Sequence, residues 1–322
     1  MTPMCHGTSS RQLSAYLLAS NGRKDESGAF LASARKNNGM GLHLLVAVGH
    51  MLRTPIEINF INSFFKSKAD LRITLLSALT RSGSNPSVRK NKLPVDSTPF
   101  HRKRLETLDA ARTLLLAYGL PEDRIGAMVL ENECVTMDDV VREAVSGLYA
   151  AVLLRKGGRS LYDEFFSFGI TRETLNQESN VPMWICNHAE AGRKNVLLCV
   201  DETDASMRMA EHVASILHGE PEHGVTVFHV DTGERSNVPE IVERARQKLI
   251  DGGISNHRVA ILVKPSQRVI GAIREEAAAG AYAVAAFGHE RRRPKRFKAW
   301  LAGSRCLAIL ETLDRCALWV GQ

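Results

Sequence analysis

Between residues 285 and 304 the sequence reads AAFGHERRRPKRFKAWLAGS, and it holds the residue types from which a phosphate site can be built. Gly288 ends an apolar run, six cations follow between Arg291 and Lys298, and Gly303-Ser304 opens a helix-like run. Glycines let backbone amides approach an anion without a Cβ in the way, and a helix start adds free amides and partial positive charge. A second reading needs no ligand. Gly288 is then a turn, Ser304 a helix N-cap, and the basic run a solvated loop broken by Pro294.

Other chemistry is sparse. The eleven histidines show no HExxH or comparable ligand spacing, and His229 reads as a polar residue at the rim of a strand. Asp138-Asp139 and Glu275-Glu276 are adjacent on helical stretches, so they point in different directions and make no acid/base pair. Cys5, Cys134, Cys186, Cys199, Cys306 and Cys316 include no closely spaced pair of metal-ligand type. No catalytic residue and no metal site is expected. Several of these cysteines fall in apolar runs, where buried free thiols are the ordinary reading, and they point to a reducing cytoplasm.

The elements that would position such a site follow from length and pattern. A chain of 322 residues suggests two domains. Its apolar runs are far below the roughly 18 residues that span a bilayer, so no membrane span is expected. The net charge of +7 is concentrated in 81–104 and 291–298. Such runs read as solvated surface, and no specific nucleic-acid binding is expected. Residues 1–40 are rich in Ser, Ala, Gly and Asn, and read as a disordered tail or as sequence upstream of a true start at Met40.

The chain also repeats itself. Residues 44–79 align without a gap to 196–231, each a β-rich run, a polar turn, a helical stretch and a second β-rich run. Residues 127–155 then lie over 260–288, sharing Gly-x-Tyr-Ala, and 181–186 over 316–321, sharing a tryptophan. Helical stretches at 102–118 and 238–252 complete each copy. Each half therefore carries five strands alternating with helices. The expected fold is α/β: two doubly wound, Rossmann-like, five-stranded parallel-sheet domains, 41–187 and 194–322. Ligands in such folds bind beyond the carboxyl ends of the strands, which sets the loops after the first and fourth strands side by side.

This ordered set resembles the universal stress protein family in its tandem two-domain form. The opening strand Val196–Val200 with Asp201, the helix start Asp204-Ala205-Ser206, and Ala283–Gly288 followed by Gly303-Ser304 carry the resemblance. ATP-binding members have Gly-x2-Gly-x9-Gly-Ser/Thr after the fourth strand. In the second half Gly288, Gly303 and Ser304 match, Arg291 replaces the middle glycine, and the spacer is longer. A non-glycine residue in a left-handed conformation costs roughly 1–2 kcal/mol, which a domain can absorb. The resemblance thus implies a site for ATP, with Asp201 at the nucleoside, Gly288, Gly303 and Ser304 at the phosphates, and charge from Arg291, Arg292, Arg293 or Lys295.

In the first half Gly158 matches the middle glycine, but Arg155, Phe168 and Gly169 hold the other positions and Gly49 replaces the acidic residue. That half is expected not to bind. Trp184 and Trp319 lie in the fifth strands, the edge this family uses to pair subunits, and are expected to be buried where the halves join as a pseudo-dimer. The expected function is stress-response regulation in the cytoplasm through protein partners, with a further homodimer open. A scaffold without nucleotide is the first alternative, its basic loop docking an acidic partner or a membrane surface, and a weak ATPase or adenylyl-transfer enzyme is the second.

Overall fold

The apolar runs lack period-two alternation, which suits strands buried on both faces. The computed structural model describes residues 41–48, 55–77, 99–130, 137–155, 181–186, 192–234, 237–289, 313 and 315–321. All lie within one compact unit, Met40–Gln322. The expectations for residues 1–40 therefore fall outside the described residues.

Strands β1 (Leu42–Val48), β2 (Leu71–Ser77), β3 (Ile125–Val129), β4 (Ala151–Arg155) and β5 (Met183–Cys186) come from the first half of the sequence. Strands β6 (Asn195–Cys199), β7 (Val225–Asp231), β8 (Val259–Pro265), β9 (Tyr282–Gly288) and β10 (Ala317–Gly321) come from the second. They form a single 10-stranded sheet in the order β3-β2-β1-β4-β5-β10-β9-β6-β7-β8. Every neighbouring pair is parallel except β5 and β10, which meet antiparallel. The two separate sheets expected from the repeat are thus one mixed sheet. Its strand order reverses twice, at β1/β4 and at β6/β9.

Six helices are described: α1 (Ile56–Phe64), α2 (Pro99–Ala117), α3 (Met137–Ser146), α4 (Asp204–Leu217), α5 (Val238–Asp251) and α6 (Val269–Ala279). On the face covered by α1, α2, α4 and α5, one apolar cluster runs from Leu44 through Trp184 and Trp319 to Val284 without a break at the seam. On the opposite face the core is split, one cluster around Val140 and Val152 and another around Ile273 and Leu318. The continuous cluster is why the halves share a core.

At the seam Trp184 stands opposite Trp319 in the antiparallel register. Both indoles are fully buried, and their rings stack at 4.1 Å with 9° between planes. Phe60 and Phe65 of the α1 region pack against Trp184, and Phe64 against Trp319. Trp184 Nε1 donates to His212 Nε2 at 3.0 Å from the α4 side. Each buried ring contributes roughly 2–3 kcal/mol.

The repeated Gly-x-Tyr-Ala has a packing cause. A Cβ on Gly147 would lie 2.1 Å from the Tyr149 ring, and one on Gly280 2.1 Å from the Tyr282 ring. With the glycine, each tyrosine folds back over its turn to reach a helix carboxylate: Tyr282 donates to Glu276 at 2.9 Å, and Tyr149 stands 3.5 Å from Glu143. One alignment needs correction. Leu75 pairs with Ala127 and its counterpart Val227 pairs with Ile261, so the third strands match one residue further on than an ungapped 127/260 alignment has it.

Candidate functional site

Where β6 ends, Val200 leads into Asp201-Glu202-Thr203 and α4 begins. Thr203 caps the helix, its Oγ1 accepting from Ser206 N–H at 3.2 Å. Asp201 Oδ1 accepts three hydrogen bonds: from Thr203 N–H at 3.0 Å, from Thr203 Oγ1 at 2.5 Å and from Ser206 Oγ at 2.6 Å. Ser206 Oγ in turn accepts from Asp201 N–H at 3.2 Å. The loop is thereby locked onto the first turn of α4, with Asp201 exposed and Ser206 buried.

Gly288, the last residue of β9, lies against that same turn. A Cβ there would sit 2.2 Å from Ser206 N, 2.3 Å from Ala205 C and 2.5 Å from Ala205 O. The structure therefore brings Asp201 and Gly288 together through Ser206, beside the β6/β9 reversal. It also gives Gly288 a cause other than a turn or a phosphate. The residue is in regular strand, outside the glycines with positive φ, and is required by the approach of strand end to helix. Arg291, Gly303 and Ser304 lie outside the described residues, as do Arg292, Arg293 and Lys295.

His229 is not a rim residue. It is 5% exposed, and its Nδ1 lies 2.8 Å from the carbonyl oxygen of Val200. A carbonyl only accepts, so Nδ1 carries the proton and the ring closes the end of β6. The sequence reading also passed over Thr203 and the bonding of Ser206, although a threonine just before an apolar-periodic run is a legible helix-start signal.

The first half departs from this geometry in three ways. Helix α1 opens at Ile56 after an extended Pro55 and has 9 residues, where α4 has 14. Ile56 aligns with Arg208, four residues inside α4, so the turn against which Gly288 packs has no described counterpart. Arg155 occupies the Gly288 position at the end of β4, opposite Cys186, and its Nε is buried without a partner. Ser77 occupies the His229 position, fully buried, and its hydroxyl has no hydrogen-bond partner. Gly49, Gly158, Phe168 and Gly169 lie outside the described residues.

Burial pushes the Cys186 and Cys199 thiols well above their ordinary range, so neither is poised as a thiolate nucleophile. Burial also lowers His43 and His223 to about 4, keeping both rings neutral at physiological pH. Cys186, Cys199 and Cys316 are buried, and none of them is in a disulfide. Among the described residues no group of three or more His, Cys, Asp or Glu is placed to hold a metal ion.

No protein-family model and no curated protein matches the chain. Solved structures do. A protein provisionally assigned as a universal stress protein, from Pseudomonas aeruginosa UCBPP-PA14, superposes with a TM-score of 0.53 at 13% identity, covering 88% of this chain and 93% of that one. A functionally unknown protein from Pseudomonas aeruginosa PAO1 gives 0.50 at 13% identity, covering 88% and 92%. The fold is universal-stress-protein-like. A universal stress protein in complex with cAMP matches at a TM-score of only 0.33 and 12% identity, covering 40% of this chain and 95% of that one.

Proposed function

We propose that the chain is a regulatory protein of the universal stress type, its halves 41–187 and 194–322 joined as a pseudo-dimer, and that the second half takes ATP beside the β6/β9 reversal. The observation that carries the proposal is the meeting of Gly288, Ser206 and Asp201 at the carboxyl ends of β6 and β9, where doubly wound folds hold their ligands. Asp201 is exposed, and the bonds of its carboxylate are all on Oδ1, which leaves Oδ2 for a ligand hydroxyl or amine. Arg291, Gly303 and Ser304 follow Gly288 in sequence and would supply amides, a hydroxyl and charge to the phosphates. The absence of a catalytic pair in the sequence favours regulation over turnover. The buried thiols of Cys186, Cys199 and Cys316 fit a reducing cytoplasm, and among the described residues no helix is long and apolar enough to cross a membrane.

Calorimetry of the full chain with ATP tests this. Micromolar binding lost in Asp201→Ala and in Gly303→Val supports it, and no binding to a folded chain overturns it. That second outcome favours a scaffold acting through protein partners, a reading supported by the packing role of Gly288. Steady hydrolysis abolished by Asp201→Asn would instead make the protein a weak ATPase.

A further inference from the structure

Among the described residues β8 is the outermost strand on one side of the sheet. Its register pairs Asp231 with Pro265, and Ser266 N–H donates to Asp231 O at 2.9 Å. In a parallel ladder each residue turns both backbone groups to the same side, so Ala260, Leu262, Lys264 and Ser266 face β7. Val259, Ile261 and Val263 turn theirs outward, and Pro265, next in that row, has no N–H to offer and ends it. Ile261 is 42% and Val263 38% exposed, among the larger exposed apolar residues described. Natural sheet edges are commonly blunted by charge. Here no charged residue lies between Arg258 and Lys264. Both flanking cations are engaged, Lys264 with Glu275 at 2.9 Å and Arg258 with the carbonyls of Leu217, Glu220 and His223.

We propose that β8 is a homodimer interface, in which β8 of a second copy pairs antiparallel about a two-fold axis through Ile261. The outward row Val259, Ile261, Val263 reads the same in both directions, so the strand that matches it best is itself. Ile261 then opposes Ile261 of the second copy and Val259 opposes Val263, a ladder of about six hydrogen bonds with β-branched pairs on one face. Such an interface closes as a dimer. The chain already joins β5 to β10 in this mode, edge to edge and antiparallel, about its tryptophan pair. The opposite edge is a weaker template: β3 has 5 residues against 7 in β8, and Ala127 stands at the Ile261 position.

Sedimentation of the full chain tests the interface. The expected species is a dimer, twice 35.5 kDa, at micromolar concentration. Ile261→Lys should convert it to a folded monomer whose Tm no longer depends on protein concentration, and Ala127→Lys should leave the dimer intact. Ile261→Cys should cross-link two copies under mild oxidation while Val263→Cys does not, because only residue 261 meets itself, at about 5.5 Å between Cα atoms. A chain that stays monomeric overturns the proposal and leaves the edge for a strand of another protein. A dimer that survives Ile261→Lys overturns it in favour of another face.

Discussion

Replacing Gly288 by alanine separates packing from ligand binding. The new methyl would stand 2.2 Å from Ser206 N and 2.3 Å from Ala205 C, both main-chain atoms that cannot swing aside. Relieving the overlap requires β9 and the first turn of α4 to part by about 1 Å, and overpacking of this kind costs typically 1–3 kcal/mol. Backbone lies on both sides of the contact, so about 3 kcal/mol is expected. In a chain of this size that lowers Tm by roughly 5–10 °C. Urea and thermal unfolding of the ligand-free protein read the loss directly. If Gly288→Ala unfolds with the wild type yet no longer binds ATP, the glycine serves the phosphate alone and the packing account is wrong.

Three further outcomes are expected. Ser77 and His229 are equivalent positions with opposite prospects: Ser77→Ala removes a buried hydroxyl that has no partner and should stabilise by about 1 kcal/mol, while His229→Ala strips the Val200 carbonyl of a donor and should cost about 1–3 kcal/mol; urea midpoints of both variants check the signs. Trp184→Phe should destabilise more than Trp319→Phe by about 1 kcal/mol, because only Trp184 Nε1 has a partner, His212, whereas Trp319 Nε1 is buried without one. Stability should fall with acid: burial holds the His223 ring at about 4 against 6.5 in the unfolded chain, so below pH 6.5 the unfolded state gains a proton that the folded ring refuses. That contribution is complete above pH 6.5 and is lost on descent towards pH 4, up to roughly 3 kcal/mol; denaturation midpoints at pH 7.5 and 4.5 that agree would contradict it.

The repeat made most of the fold legible, because strand and helix periods recur in both halves and each copy supports the other. Trp184 and Trp319 marked the edges at which the halves meet, but the antiparallel hydrogen bonding of β5 to β10 that makes two five-stranded sheets into one was not legible, because nothing in the repeat sets the register across the seam. The one-residue offset of the third strands was hidden because Ala, Ile, Leu and Val fit either register of an apolar run. At the site, Asp201 and Gly288 stand out in the sequence as a carboxylate and a glycine at strand ends. That Gly288 faces the backbone of Ala205 and Ser206 is a matter of strand-to-helix distance, which spacing along the chain does not encode. The shorter α1 offers a reason why Arg155 is tolerated in the first half, and its trace in the sequence is Pro55, which keeps the residue before it from helical conformation.

The stacked tryptophans give the protein a built-in optical gauge. Of the three indoles in the chain, two lie face to face at 4.1 Å, one contributed by each half of the sequence. At that separation the strong indole transitions couple, and the resulting pair of bands in far-ultraviolet circular dichroism exists only while β5 and β10 are joined. Parting of the halves can therefore be followed without a label, and apart from the melting of either half.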